Sequence, residues 1–218
     1  MKEDLKREWK EVVKFEPLLF ADFIPTLYPG GDKTKRPLTN IYCELTDREN
    51  LQKYSDEFLD KYNEDMENKL NLVLFSTAIE HVVKIVRVIS TPNGHSFLVG
   101  IGGSGKRSLA RLSTYICGFG ANMIEIHSKY DYEKCWMEDL IKFFEKCGVD
   151  DEKTVFIISD TQIFKEQVLE DISSILNSGE RPNLYPFEIK QELIKKVTDK
   201  FQSETEGFSN NQSFAFFQ

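Results

Sequence analysis

The spacing of hydrophobic positions changes along this chain, and each change predicts a different element. Residues 1–16 mix charge with scattered apolar side chains and read as a solvated helix. Through Glu16-Pro17-Leu18-Leu19-Phe20-Ala21-Asp22-Phe23 the spacing turns irregular. Pro25, Pro29, Gly30, Gly31 and Pro37 then make an extended, looping strip, of the kind that drapes over a neighbouring surface. Helical period returns over 46–68, where Thr46-Asp47-Arg48-Glu49 offers an N-cap start and Leu51, Tyr54, Phe58, Leu59 and Tyr62 recur at helical spacing. A further helix is read over 70–89, with Leu74, Ala78, Ile79, Val82, Val83 and Val86 on one stripe, before Pro92-Asn93-Gly94 ends it.

From there short apolar runs alternate with helical patterns. His95-Ser96-Phe97-Leu98-Val99 predicts a strand and runs straight into a glycine-rich turn; a helix over 108–116 follows and stops at Gly118 and Gly120. Asn122-Met123-Ile124-Glu125-Ile126-His127 predicts a second strand, and 132–147 a helix with Trp136, Leu140, Phe143 and Phe144 on one face. Thr154-Val155-Phe156-Ile157-Ile158-Ser159-Asp160 predicts a third strand, apolar as buried parallel strands are. A last helix over 165–177 turns Val168, Leu169, Ile172, Ile175 and Leu176 inward and ends at Gly179. The alternation predicts an α/β fold, three layers around a parallel sheet. The organisation expected is a helical and extended N-terminal arm over 1–69, a core over 70–200 and a polar, Phe-rich tail over 201–218.

The turn after the first strand carries the chemistry. Gly100-Ile101-Gly102-Gly103-Ser104-Gly105-Lys106 fits G-x-x-x-x-G-K, and a strand, this loop and then a helix make a P-loop. Glycines let backbone N–H groups turn inward around a β-phosphate, the helix adds its positive end, and Lys106 bridges β- and γ-phosphate oxygens. Two positions weaken the metal chemistry. The residue after the lysine is usually Ser or Thr, whose hydroxyl ligates Mg²⁺; here it is Arg107. Ser108 follows, but one helical step turns a side chain by about 100°. Asp160, at the end of the third strand, is placed to hold Mg²⁺ through water, yet Thr161 and Gln162 follow it, and a hydroxyl cannot replace a carboxylate as base. Gln162 is the remaining group there able to position a water. The site expected is therefore residues 100–108 with Asp160, binding ATP or ADP with Mg²⁺, with no catalytic base.

Composition narrows the setting. The formal net charge of −8 argues against a nucleic-acid backbone as partner, and no apolar run approaches the roughly 20 residues that span a bilayer. Cys43, Cys117, Cys135 and Cys147 show neither a CxxC pair nor a His at zinc spacing and read as reduced thiols. Glu170 and Asp171 read as a solvated helix face, Arg181 as a solvated loop residue, and Tyr130, Tyr132 and Trp136 as packing.

The residues around these motifs resemble the fourth AAA+ module of dynein heavy chains, the axonemal type above all. Asn71-Leu72-Val73-Leu74-Phe75, Ala78-Ile79-Glu80-His81, and the run from Leu98 through the loop to Leu112 carry the likeness. So do Ser159-Asp160-Thr161-Gln162-Ile163 and the stretch from Leu169 through Arg181-Pro182-Asn183-Leu184-Tyr185. The resemblance implies a P-loop NTPase core and a regulatory ATP site with weak or absent hydrolysis, within a ring of AAA+ modules that moves along microtubules. Its implied partners are other heavy-chain modules or axonemal proteins, with microtubule association indirect, and its implied place is the cytoskeleton of a cilium or flagellum. It also implies a later central strand that carries a sensor; Phe214-Ala215-Phe216-Phe217-Gln218 stands where that strand begins, so the core is expected to be incomplete at its C-terminal side. The alternative is a non-catalytic structural protein of the axoneme, with 15–37 and the Phe-rich tail as docking strips. A free-standing P-loop kinase or GTPase is a third reading, against which no NKxD sequence is present.

Overall fold

A computed structural model describes residues 18–24 and 41–204. The helix expected over 1–16, the strip over 25–40 and residues 205–218 of the expected tail lie outside the described residues. The chain divides into two units, Met1–Cys117 and Gly118–Gln218.

In the first unit a short antiparallel pair, β1 (Phe20–Ala21) and β2 (Cys43–Glu44), is extended by the Leu45 N–H donating to the Leu19 carbonyl at 2.8 Å. Leu19, Ala21, Ile24 and Leu45 are buried in the unit's own core. For residues 19–24 this corrects the expectation of a draping strip, since these apolar side chains serve packing within their own unit. Helix α1 (Arg48–Asp65) starts where Asp47 Oδ1 accepts the Asn50 N–H at 3.0 Å, and it buries Leu51, Ser55, Leu59 and Tyr62 along one face. Helix α2 (Ser76–Ile89) buries Ala78, Ile79, Val82, Val83, Ile85 and Val86, each large one stabilising by about 1.5–3 kcal/mol relative to exposure.

The helix expected from residue 70 begins only at Ser76. Residues 69–75 are extended, with Leu70 and Leu74 buried while Val73 and Phe75 are exposed, a period of two. Side chains of α1 hold this backbone. Asn63 Oδ1 accepts the Leu70 N–H at 2.7 Å, Asn63 Nδ2 donates to the Leu70 carbonyl at 3.2 Å, and Gln52 Nε2 donates to the Leu74 carbonyl at 2.7 Å. These bonds take the place of helical ones. Helix α3 (Lys106–Ile116) buries Leu109, Leu112, Ser113 and Thr114 and joins the same core, its Arg111 guanidinium reaching the Asn68 carbonyl at 3.1 Å.

The second unit is built on a parallel pair, β3 (Gly120–Met123) beside β4 (Thr154–Ile157), in register from Gly120 opposite Thr154 to Met123 opposite Ile157. Both strands are shorter than expected; 124–127 and 158–160 leave the pairing. A π-helical turn (Tyr132–Trp136) leads into α4 (Met137–Gly148). Helix α5 (Glu166–Ser178) ends at Gly179, whose φ of 76° is the left-handed C-cap that glycine adopts without strain. Ile124, Trp136, Leu140 and Val168 form the core, with Ile172, Ile175 and Phe156 packed against it. Leu169 and Leu176, expected inward, are exposed, because α5 turns Val168 and Asp171 to the core instead. A helix the sequence pattern left unassigned, α6 (Phe187–Glu204), buries Leu193 and Val197.

Residues 95–99 form no strand. Leu98 packs against the first unit's core while Phe97 and Val99 stand 92% and 82% exposed, so the run is apolar and extended but joins no ladder, and a strand requires a partner's backbone groups. Among the described residues the parallel sheet therefore has two strands. The α/β expectation holds in the coarser form of helices with a small parallel sheet.

Candidate nucleotide-binding site

The loop from Gly100 to Gly105 curls because two of its residues take a conformation that favours glycine. Gly103 and Gly105 both have φ of 76°, in the left-handed region. Gly105 is the N-cap of α3, and a Cβ there would meet Leu72 Cδ2 at 3.4 Å; nothing lies within 4 Å of the equivalent point on Gly102 or Gly103. The backbone is thus packed on one side and open on the other, as close approach by a ligand requires. The Ser104 N–H donates to the Ile101 carbonyl at 3.4 Å. Lys106, the first residue of α3, folds its side chain back into the curve, where Nζ donates to the carbonyls of Gly100 and Ile101 at 2.7 Å each and to Ser104 Oγ at 3.3 Å.

The electrostatics of this helix start are informative. A helix N-terminus carries the positive end of the macrodipole, which favours acidic residues and disfavours cations by about 0.3–1 kcal/mol each. The first turn of α3 holds no acid and places Lys106 and Arg107 there instead. By that rule the dipole disfavours both cations, and an anion bound at the loop would offset the effect.

Asp160 lies in the second unit, exposed, at the start of a 3-10 turn (Asp160–Gln162) that leaves β4. The turn is closed by its own side chains. Gln162 Oε1 accepts the Ser159 N–H at 2.7 Å and the Ser159 hydroxyl at 3.1 Å, while Gln162 Nε2 donates to the Ile124 carbonyl. Thr161 Oγ1 lies 2.9 Å from Ser159 Oγ. Gln162, considered from sequence as a group to position water, is occupied at both ends of its amide and acts as a brace between the segments that follow β3 and β4.

Asp171 and Arg181, both expected in solvent, instead join Tyr132 and Trp136 in a polar cluster. Asp171 is buried; its Oδ2 accepts the Tyr132 hydroxyl at 2.7 Å and the Trp136 indole N–H at 2.8 Å, and its Oδ1 accepts Arg181 Nε at 3.0 Å. Arg181 is tied down, which corrects its reading as a solvated loop residue. Burial, then the bond to Asp171, pushes the Tyr132 phenol above its usual range. Four residues spread from 132 to 181 meet only through tertiary packing, and no local spacing announces the pair Asp171 and Arg181. The packing expectation for Tyr130, Tyr132 and Trp136 holds. The four cysteines are free thiols.

The residues fit a polyphosphate: a curled glycine backbone with an open side, an ammonium inside the curve and a second cation one residue on. They do not fit Mg²⁺ equally well. The position that supplies the metal's hydroxyl is a guanidinium, which leaves Asp160 as the motif's carboxylate for the metal.

A curled glycine loop between an extended apolar run and a helix, closed by a lysine, defines a P-loop protein. The sequence profile of the family described as the P-loop containing dynein motor region D4 matches residues 70–218, and the chain belongs to that family. It is 44% identical over 170 residues to human dynein axonemal heavy chain 6, a match covering 78% of this chain and 4% of that protein. It is 39% identical over 188 residues to the dynein alpha chain, flagellar outer arm, of Chlamydomonas reinhardtii, covering 86% of this chain and 4% of the relative. Against human dynein axonemal heavy chain 2 the identity is 39% over 205 residues, 93% of this chain and 5% of the relative. The chain thus spans 4–5% of the length of these relatives. The resemblance to dynein heavy chains of the axonemal type is established by these matches.

Proposed function

We propose that this chain is a nucleotide-binding module of a dynein-type motor, with a regulatory or structural role and weak or absent hydrolysis of its own. The observation that carries the reading is the P-loop geometry: Gly103 and Gly105 in the left-handed region with Lys106 Nζ held inside the curve. Residues 100–108 bind the phosphates of ATP or ADP, and Asp160 is the carboxylate of the same motif set. The absence of an acid at 161 supports slow turnover, since no side chain there can take a proton from water. The relatives' names, axonemal heavy chain and flagellar outer arm, support a place in the cytoskeleton of a cilium or flagellum, beside other heavy-chain modules or axonemal proteins, with microtubule association indirect. In this reading 70–200 is the AAA+ core of three layers, 1–69 the arm and 201–218 the tail.

The reading is tested by displacement. A fluorescent ATP analogue bound to the chain is expected to be displaced by unlabelled ATP, and Lys106→Ala is expected to weaken binding by about tenfold or more, the loss of one charge-assisted hydrogen-bond site. A wild-type chain that binds no analogue overturns it and favours the structural alternative. That alternative has lost part of its basis, since Leu19, Ala21 and Ile24 of its first docking strip are buried in the chain's own core.

A further inference from the structure

We infer that this P-loop binds its nucleotide without needing Mg²⁺, the Arg107 guanidinium supplying the positive charge that the metal supplies in other P-loops. The inference rests on the nucleotide reading above and deepens it. In the P-loop arrangement the metal is held by a hydroxyl directly after the lysine, and it neutralises oxygens of the two outer phosphates. At that position this chain carries a cation, on the first turn of α3 beside Lys106. A guanidinium has no lone pair to offer a metal, is charged at every working pH, and presents a planar fork that matches two phosphate oxygens. Placed there it repels a divalent cation and attracts the same oxygens. It is also exposed.

Two further observations agree. Ser108, one step on, points about 100° away around the helix axis and is half-buried. The helix start accepts two cations that its dipole disfavours, an arrangement that an uncompensated polyphosphate, carrying more negative charge than its Mg²⁺ complex, balances best. The chemical class of ligand is therefore the free nucleoside di- or triphosphate.

The test compares binding of a fluorescent ATP analogue to the full chain in excess EDTA and in millimolar Mg²⁺. The expected result is that EDTA weakens wild-type binding by less than about threefold, or tightens it, whereas Arg107→Ser weakens binding in EDTA by about tenfold and Mg²⁺ restores it, the fold-change of one charge-assisted contact. Arg107→Lys, which keeps the charge, is expected to retain metal independence, and a thermal melt of each variant confirms folding. A wild-type affinity that falls more than about tenfold on metal removal, the same one-contact measure, overturns the inference while leaving the nucleotide reading intact. Absence of binding in both media overturns the nucleotide reading and this inference with it.

Discussion

At the residue scale the two units make different uses of charge. In the second unit Asp171 collects the Tyr132 hydroxyl, the Trp136 N–H and the Arg181 guanidinium, and the Asp171 and Arg181 side chains are 10% and 19% exposed. A buried carboxylate so paired is weak evidence of net stabilisation, but removing one partner leaves the others desolvated and unmatched. Asp171→Ala is expected to destabilise the chain by about 3–5 kcal/mol in urea denaturation, and Asp171→Asn by less, because the amide oxygen still accepts. Adding Arg181→Ala to Asp171→Ala should cost less than the sum of the two single changes. Additive losses would show that the pair is not coupled. In the first unit the Tyr115 hydroxyl donates to Asp65, and that bond, then burial, pushes its pKa up from 10 to about 12. A phenol raised on folding keeps its proton better in the folded state, so its contribution is complete below pH 10 and is lost as pH rises towards about 12. Tyr115→Phe is expected to flatten that part of the stability profile between pH 10 and 12, which a series of thermal melts in alkaline buffers measures.

At the element scale the sheet edge depends on one amide. Gln162 closes the turn after β4 and reaches the Ile124 carbonyl that follows β3, so it links the ends of two parallel strands that have four residues each. Gln162→Ala strands the Ser159 N–H and the Ile124 carbonyl, and a loss of about 2 kcal/mol in denaturant midpoint analysis is expected. Gln162→Glu keeps the acceptor for Ser159 but sets a carboxylate against the Ile124 carbonyl, and should destabilise as well; an unchanged midpoint would remove the brace. Much of the element order was legible from spacing. Leu51, Leu59 and Tyr62 mark α1, Val82, Val83 and Val86 mark α2, and Gly179 marks the end of α5, each because one face or one left-handed cap dictates the residue type. The P-loop was legible for the same reason, since Gly103 and Gly105 sit where glycine alone is unstrained. What escaped had a tertiary cause. The six residues before Ser76 look helical because their leucines continue the α2 stripe, and only Asn63 and Gln52, on another helix, pull them straight. Phe97 and Val99 read as a strand because they are apolar, but apolarity does not create a hydrogen-bonding partner. Asp171 lies next to Glu170 in a polar pair, and its burial follows from Trp136 and Arg181, which sequence distance hides.

At the scale of the whole molecule the question is whether nucleotide binding leads to turnover. Binding draws on backbone conformation and fixed charge, and both are in the chain: left-handed glycines, Lys106 in the loop, Arg107 beside it. Hydrolysis draws in addition on a group that takes a proton from the attacking water, which contributes about 10²–10⁴-fold to such rates. The motif positions offer Thr161, whose hydroxyl is spent on Ser159, and Gln162, whose amide is spent on Ser159 and Ile124. Against a typical enzyme turnover of about 10 s⁻¹, the missing base alone lowers the expected steady rate to about 0.001–0.1 s⁻¹. Phosphate release from ATP by the full chain, followed over hours, should stay in or below that range while the same preparation binds the fluorescent analogue. Release near 10 s⁻¹ that disappears in Asp160→Asn would mean that a proton acceptor other than a residue at 161 is at work. Slow release with intact binding is the behaviour of a module whose bound nucleotide acts by being held, so that the energetic signal it passes on is the difference in binding between conformations and not the breaking of a phosphate bond.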